Sequence, residues 1–534
     1  MSTDVVRIRT GVYHDSVSLM RVSQALTALP GVQVAVVAMA TELNRDIATE
    51  LGFDLPQTGP ADLLIALRSS GSDVLESADA ELERLLTGLA GRATGATASE
   101  RPPRTVRAAA RGHDATLALV SVPGPYAFAE AMDAVEAGLS VMIFSDNVPV
   151  EQEVLLKKRA GELDVLVMGP DCGTAVIGGV GLGFANVLRP GPVGVVAASG
   201  TGAQQVTCLL DLAGVGVSHV LGVGGRDLSA DVGALSTLRA LEALDADPAT
   251  ELIILISKPP APEVADVVRE AVSKLGTPVV TALLGPGQGD LTAAAETALR
   301  TLGVPVPEWP SWPSTVPSPQ DETRAPGSPA ASGAPDSGAP DSPGPSGVPG
   351  APDPSGSPGV PSAPNPSGSP GAPGASDSPG SPGASAASGS SGSPGRTLRG
   401  IYSGGTLCVE ARLIAGTGEF TDFGDDAYTR GRPHPMIDPS LRLEALAEVP
   451  PGAVVLLDVV LGHGADPDPS VRLTPAITAA VARGVPVVVV LVGSSGDPQG
   501  LNAQAEALHA AGATVFTSNA RAARYAADVV ATAL

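Results

Sequence analysis

Two short turns rich in Ser, Gly and Thr stand where helices are about to begin. Ala198-Ser199-Gly200-Thr201-Gly202 follows the apolar run Val193-Gly194-Val195-Val196-Ala197 and precedes Ala203-Gln204-Gln205-Val206. Tyr402-Ser403-Gly404-Gly405-Thr406 precedes Leu407-Cys408-Val409-Glu410-Ala411. A helix start leaves its first N–H groups unpaired and carries the positive end of the dipole, so it draws phosphate-like anions. Glycine lets an anion approach the backbone, and hydroxyls add donors. Two such ends facing each other form one anion site between two lobes. Ser199, Gly200, Thr201, Ser403, Gly404, Gly405 and Thr406 are then its phosphate-binding residues, in a pocket biased to positive charge. The same residue types also make ordinary caps and turns.

Further along, His434 lies between two prolines, with Arg432 two residues before it and Asp438 four after. Arg grips a carboxylate or phosphate with two parallel bonds, and His exchanges protons near neutral pH, so both are catalytic candidates. The alternative is a rigid loop whose polar groups cap a helix starting near Asp438. Asp422, Asp425 and Asp426 offer oxygens to a metal or form a solvated acidic turn, and no metal is assigned. Arg226 and Asp227, after Gly224-Gly225, are expected to pair with each other or to line a cleft. His14, His113, His219, His463 and His509 show no ligand spacing and read as structural or surface residues.

The bulk of the chain limits what such sites serve. It has 534 residues and a net charge of −24, with no basic block, so nucleic acid and anionic membranes are not expected partners. Aromatics are only 3%, too few for base-stacking platforms. Cys172, Cys208 and Cys408 are widely spaced and fit no zinc or disulfide pattern. They suit a reducing cytosol, and no signal peptide or membrane span is readable, so a cytoplasmic location is expected.

The elements that must position these residues read as α/β layers. Strands are expected at Val5 to Arg9, Val32 to Val37 and Leu63 to Ala66, with helices over Val17 to Leu29 and Glu42 to Leu51, making a lobe over residues 1–95. Residues 96–112 carry four arginines and two prolines and read as a connector. A lobe over 113–188 has strands at Thr116 to Val122, Ser140 to Phe144 and Val165 to Met168. A third over 189–306 has strands at Val193 to Ala197, Ser218 to Val223, Leu252 to Ile256 and Pro278 to Leu283. All but seven residues between Ala325 and Gly395 are Pro, Gly, Ser or Ala, so 313–396 is expected to be a disordered linker spanning roughly 45 Å. After it, a lobe over 397–534 has strands at Ala453 to Val459, Val485 to Leu491 and Thr514 to Thr517. The fold class is multi-domain α/β: two Rossmann-like lobes, a flavodoxin-like lobe and a tethered fourth lobe. Ligands in such folds bind at the carboxyl ends of strands.

Several segments in order resemble the FdrA family of the CoA-ligase superfamily: His14-Asp15-Ser16-Val17-Ser18-Leu19-Met20, Phe144-Ser145-Asp146-Asn147-Val148 and Met168-Gly169-Pro170-Asp171-Cys172-Gly173-Thr174 among them. Gly222-Val223-Gly224-Gly225-Arg226-Asp227-Leu228-Ser229, Ser257-Lys258-Pro259-Pro260 and Gly431-Arg432-Pro433-His434-Pro435-Met436-Ile437-Asp438-Pro439 continue the match, which covers nearly everything outside the linker. The family is similar to the α subunit of succinyl-CoA synthetase fused to a domain resembling the ligase domain of its β subunit. The resemblance implies Rossmann-like CoA-binding lobes and flavodoxin-like CoA-ligase lobes. In the synthetase one helix from each subunit aims its amino end at a phosphohistidine, and the two turns above match the starts of those helices.

The departures are as informative. Where the synthetase carries its phosphorylated histidine, this chain has Gly285-Pro286-Gly287-Gln288-Gly289-Asp290, and no histidine lies between His219 and His434. Where a glutamate orients that histidine, Lys258 stands instead. By resemblance Lys258 supplies a fixed positive charge near the anion and joins Arg432 and His434 as a catalytic residue. Gly169, Pro170, Asp171, Cys172 and Gly173 match the acyl-substrate loop, and with Asn147 and Arg226 they are the expected substrate-binding set. A small buried thiol is the other reading of Cys172. CoA binding rests on Ser121-Val122-Pro123-Gly124-Pro125 and Asn147-Val148-Pro149, because the first-lobe turn Gly11 to Asp15 has one glycine.

The expected function is therefore an acyl-CoA synthetase-like enzyme subunit (succinate–CoA ligase type) acting on acyl phosphate and acyl-CoA without a phosphohistidine. Its ligands would be CoA and phosphate or an acyl or carbamoyl phosphate. ATP would be used only through a partner subunit in a hetero-oligomer. The family also implies a phosphate-dependent oxamate carbamoyltransferase complex in allantoin and purine breakdown. A non-catalytic scaffold sensing CoA or an anion is the reading from a different class.

Overall fold

The computed structural model describes residues 3–12, 14, 16–93, 103–313, 397–429 and 432–532. The expected linker, from residue 314 on, lies outside them, as do residues 94–95 of the first expected lobe and 96–102 of the expected connector. Among the described residues no helix is long and apolar enough to cross a membrane.

The first lobe runs β1 (Thr3–Arg9), α1 (Ser16–Thr27), β2 (Val32–Met39), α2 (Glu42–Glu50), β3 (Leu63–Ser69) and α3 (Ser72–Ala93). Its strands lie in the order β1-β3-β2, and both pairings are antiparallel. This corrects the Rossmann-like expectation for residues 1–95. Alternating strands and helices specify layers, but they do not say whether a third strand joins at the edge or slips between the first two. Here β3 slips between them, and its run Leu-Leu-Ile-Ala-Leu is the reason. Leu63, Ile65 and Leu67 face α1 and α3, while Leu64 and Ala66 face Ala48 and Phe53, so the strand is apolar on both sides and takes the centre.

The connector forms α4 (Val106–Gly112), capped by Thr105 Oγ1, which accepts from Ala108 N–H. Next come β4 (Leu117–Val120), α5 (Gly124–Val135), β5 (Ser140–Ile143), α6 (Val150–Glu162) and β6 (Val167–Met168), a parallel three-stranded sheet. The hairpin β7 (Thr174–Ile177) and β8 (Val180–Gly183) was not foreseen. It falls within 113–188, yet it pairs antiparallel with β10 of the following lobe.

That lobe comprises β9 (Pro190–Ala197), α7 (Gly200–Leu212), β10 (Val217–Gly222), α8 (Leu235–Ala246), β11 (Leu252–Ser257), α9 (Pro262–Val272), β12 (Val279–Leu283) and α10 (Leu291–Thr301). The short β13 (Ser311–Trp312) follows. After the undescribed segment come β14 (Leu398–Tyr402), α11 (Gly405–Ala415), β15 (Glu419–Asp422), α12 (Asp426–Thr429), α13 (Ser440–Glu448), β16 (Val454–Val460), α14 (Pro469–Ala482), β17 (Val487–Val492), α15 (Leu501–Ala510), β18 (Thr514–Phe516) and α16 (Asn519–Ala531).

The two large sheets run β12-β11-β9-β10-β7-β8 and β13-β18-β17-β16-β14-β15. Within each, the first strand of the parallel set (β9 or β14) has its successor on one side and the next strand on the other, as in flavodoxin-like folds. Helices α7 and α10 of one lobe pack on α11 and α16 of the other, and a single hydrophobic core runs through all four. Leu209 and Leu407 are fully buried there, each contributing about 1.5–3 kcal/mol. The carboxy-terminal lobe is thus docked through shared core, more firmly held than a flexible tether alone would hold it.

Candidate functional site at the junction of two helix starts

The strand order reverses in each large sheet beside its first parallel strand, which opens a crevice at the carboxyl ends. In one sheet the crevice lies between β9 and β11, flanked by Ser199 and Lys258. In the other it lies between β14 and β16, flanked by Ser403. Helices α7 and α11 start at these two crevices, and their starts touch. A β-carbon built on Gly404 would lie 2.7 Å from Thr201 Oγ1 and 2.8 Å from Thr201 Cβ, so only glycine permits the approach. A β-carbon on Gly405 would lie 2.9 Å from Lys258 Nζ and closer still to Asp422 Oδ2. Thr201, Gly404, Gly405, Lys258 and Asp422 therefore meet at one place. Lys258 is exposed and makes no ion pair within 4 Å among the described residues.

Not every member of the expected anion set faces outward. Ser199 is the N-cap of α7, its hydroxyl accepting from Gly202 N–H, and with Gly200 and Thr201 it is partly exposed. Ser403 and Thr406 are buried, each 2% exposed. Ser403 gives both its N–H (2.7 Å) and its hydroxyl (3.0 Å) to Asp458 Oδ1, which also accepts from Arg442 Nη2. Its hydroxyl secures the turn and is not free for a ligand. Sequence reading missed Asp458 and Arg442. Their signal was a lone carboxylate inside the apolar run Val454–Val460, because a buried charge is kept only with partners.

The expected positive bias is also corrected. Lys258 and Arg226 stand among Asp146, Asp171, Asp422, Asp425 and Asp426. Burial raises the pKa of Asp422, with Asp458 and Asp425 adding to the rise, while Gly424 N–H and the Lys258 charge oppose it. Asp171 is pushed up to about 7, first by desolvation and then by Asp146 and Asp426. One side of Asp171 is open to water at the rim, which screens part of that push. Asp422, Asp425 and Asp426 belong to no group spaced to hold a metal among the described residues.

His434 lies next to this junction. Its Nε2 is 2.9 Å from where a β-carbon on Gly424 would sit, and the same point is 2.5 Å from the Ser403 carbonyl. The imidazole Nδ1 accepts the Met436 N–H at 3.3 Å, so the neutral ring carries its proton on Nε2. Burial, helped by the Arg442 charge, pushes its pKa down to about 4. His434 is thus a neutral imidazole at physiological pH, which corrects the expectation of proton exchange near neutrality. Arg432 is exposed, and Asp438 accepts from Ser440 N–H and Oγ at the start of α13.

The acyl-loop residues divide. The Gly169-Pro170 peptide is cis, Gly169 has φ +96°, and Asp171 has φ +57°, with its N–H donated to the Ser145 carbonyl. Cys172 is 2% exposed in the core, with a pKa raised to about 12 by burial, so it neither lines a cleft nor acts as a nucleophile. Gly169 and Pro170 are buried and Gly173 is half-buried, leaving Asp171 as the exposed member. Asn147 is exposed with φ +53°. Arg226 and Asp227 do not pair with each other. Arg226 bonds the Val148 carbonyl and Glu153, whereas Asp227 is buried against Lys157. Arg226 thus ties the Asn147 loop to the Gly224-Gly225 turn. A groove of about 540 Å³ between α6 and α8 contains none of the sequence-chosen residues.

Residues 401–529 match the CoA-ligase family model, and residues 1–102 match that of the AllF heavy metal-associated domain. YahF of Escherichia coli is 33% identical over 97% of this chain and 97% of its own length. An α subunit of succinate–CoA ligase from Archaeoglobus fulgidus is 28% identical over 34% of this chain and 63% of its own. Among solved structures, ATP citrate lyase from Methanothrix soehngenii in complex with citrate and coenzyme A aligns over 38% of each chain, with 21% identity and a TM-score of 0.29.

The CoA-ligase family match and the succinate–CoA ligase relative put the chain in the CoA-ligase superfamily. Within that class, the chain belongs to one FdrA-like family with YahF. The metal implied by the name of the first-lobe family does not fit the residues present. Residues 1–102 contain no cysteine and a single histidine, His14, so a thiolate-preferring metal finds no ligand set among them.

Proposed function

We propose that the chain is the acyl-transfer subunit of a CoA-ligase-type enzyme, exchanging an acyl group between phosphate and CoA at the junction of α7 and α11. The observation that carries this reading is the meeting of Thr201, Gly404 and Gly405 with the unpaired amine of Lys258 at two helix starts. The N–H groups of both helix starts and Lys258 hold the phosphate end of an acyl phosphate. The CoA thiol attacks the acyl carbonyl, a C–S bond forms as the C–O bond to phosphate breaks, and inorganic phosphate departs with the electron pair and takes up the thiol proton. Positioning and electrostatics supply most of the acceleration.

Arg432 engages the acyl part, and His434 donates a hydrogen bond from neutral Nε2. Asp422 leans on the same helix start, where burial raises its pKa. CoA would lie along the starts of α5 and α6. Gly124 packs there against the Asp146 and Asn147 carbonyls, so that glycine serves internal packing and the exposed Asn147 and Pro149 form the rim. Phosphorylation by ATP belongs to a partner subunit, since Gly285–Asp290 offers no histidine.

The test is acyl-CoA formation from acetyl, succinyl or carbamoyl phosphate and CoA, followed by thioester absorbance and phosphate release. Lys258→Ala is expected to lower turnover about a hundredfold. Turnover unaffected by that change, or acid-labile label on the protein after incubation with labelled ATP, overturns the reading.

A further inference from the structure

We infer that the first lobe is a brace for the His434 loop, exerted through Arg21 and Gln24 of α1. These two side chains are three residues apart and share one face of the helix, while Leu19, Val22 and Leu26 bury the other face in the lobe's own core. Arg21 Nη2 donates to the Gly464 carbonyl at 2.6 Å, and Gln24 Nε2 donates to the Ile437 carbonyl at 3.0 Å. Both acceptors belong to the carboxy-terminal lobe, more than 400 residues away in sequence.

The two gripped loops are themselves joined, Asp466 N–H donating to the Met436 carbonyl at 2.8 Å. From Ile437 the hold passes directly to the imidazole loop, because Ile437 and Asp438 N–H both donate to the His434 carbonyl. From Gly464 it passes through Phe184. A β-carbon on Gly464 would lie 2.9 Å from the Phe184 ring, whose centroid is 5.5 Å from that of His434. Two routes from one helix face thus end on the same residue, one at its backbone carbonyl and one at its ring. The Arg21 bond is charge-assisted and the stronger of the pair. A lobe whose family name denotes heavy metals, but which carries no cysteine, here serves to position another lobe's loop.

The inference does not depend on which reaction the site performs, and its test uses the full chain. Amide exchange is measured at Ile437, Asp438 and Asp466, together with the His434 imidazole titration by NMR, in Arg21→Ala, Gln24→Ala, the double variant and Arg21→Lys. The double variant is expected to speed exchange at those three amides about tenfold, with Leu64 and Ile65 of the first lobe unchanged. Its His434 pKa is expected to rise toward the ordinary histidine value. Arg21→Lys, which keeps a charged donor, is expected to restore most of both. Gln24→Ala removes a single neutral bond and serves as the mild variant should the double one unfold. Unchanged loop exchange with an unchanged His434 titration overturns the inference, as does a uniform acceleration across both lobes.

Discussion

Gln205 and Glu410 occupy the sixth positions of α7 and α11, and each closes the start of a helix in the opposite lobe. Gln205 Oε1 accepts the Asn519 N–H at 2.9 Å and its amide donates to the Thr517 carbonyl, capping α16. Glu410 Oε1 accepts the Leu291 N–H at 2.6 Å, capping α10, and Oε2 accepts from Asn519 Nδ2. The same helix position thus supplies a reciprocal cap in each direction, and both side chains are fully buried.

Glu410→Ala leaves the Leu291 N–H without an acceptor and the Asn519 amide with the Leu407 carbonyl alone, and a stability loss of about 2–3 kcal/mol is expected in urea unfolding. Burial pushes the Glu410 pKa up to about 7, although Asn519 and Leu291 bond its charged form; nearby Asp290 adds to the rise and Arg524 opposes it. The folded chain therefore holds this proton more tightly than the unfolded one. Its stabilising contribution is complete below about pH 4.5 and is lost as pH rises through 7. Glu410→Gln is expected to flatten that part of the stability profile.

Gly404→Ala drives a methyl into Thr201, and a destabilisation of about 1–3 kcal/mol is expected from the forced separation of the two helix starts. Thr201→Gly in the same chain makes room, so the double variant should recover stability relative to Gly404→Ala alone. Denaturant midpoints of the three variants check this coupling.

His434 works in the opposite sense to Glu410. Its folded pKa, about 4, lies below its unfolded value, so its contribution is present above about pH 6.5 and is lost as pH falls toward 4. The two windows overlap and partly cancel in the native protein. His434→Asn is expected to unmask a fall in stability between pH 4.5 and 7. NMR titration of the native chain should show no imidazole inflection for His434 near pH 6.5.

Lys157 is 4% exposed and donates to Glu153 (2.7 Å), Asp227 (2.7 Å) and the Val223 carbonyl. Asp227 also caps α8 through Ser236 and Thr237 N–H. Lys157→Ala leaves buried Asp227 without a counter-charge and Glu153 with Arg226 alone, and a loss of about 3–5 kcal/mol is expected in chemical unfolding.

Much of the strand framework was legible because runs such as Val487–Val492 and Leu252–Ile256 are apolar throughout, as parallel strands buried on both faces must be. The two helix starts were legible from Ser-Gly-Thr chemistry, and the structure places them in contact. What escaped were features set by partners distant in sequence. Nothing local in Leu63–Ser69 says that it slips between β1 and β2. The β7–β8 hairpin is short, and Gly178-Gly179 shows only that a turn exists, not which sheet receives it. Cys172 sits among glycines as a reactive thiol would, and only the packing of Gly222 against its sulfur reveals a core residue. Asp422 read as one of three loose acidic residues until β15 laid it beside Gly405.

Strand β13 pairs with β18, and β14 pairs with β16 in that same sheet. One lobe therefore holds both of the described ends that flank segment 314–396. A nick anywhere inside that segment is expected to yield two polypeptides that still elute as one particle.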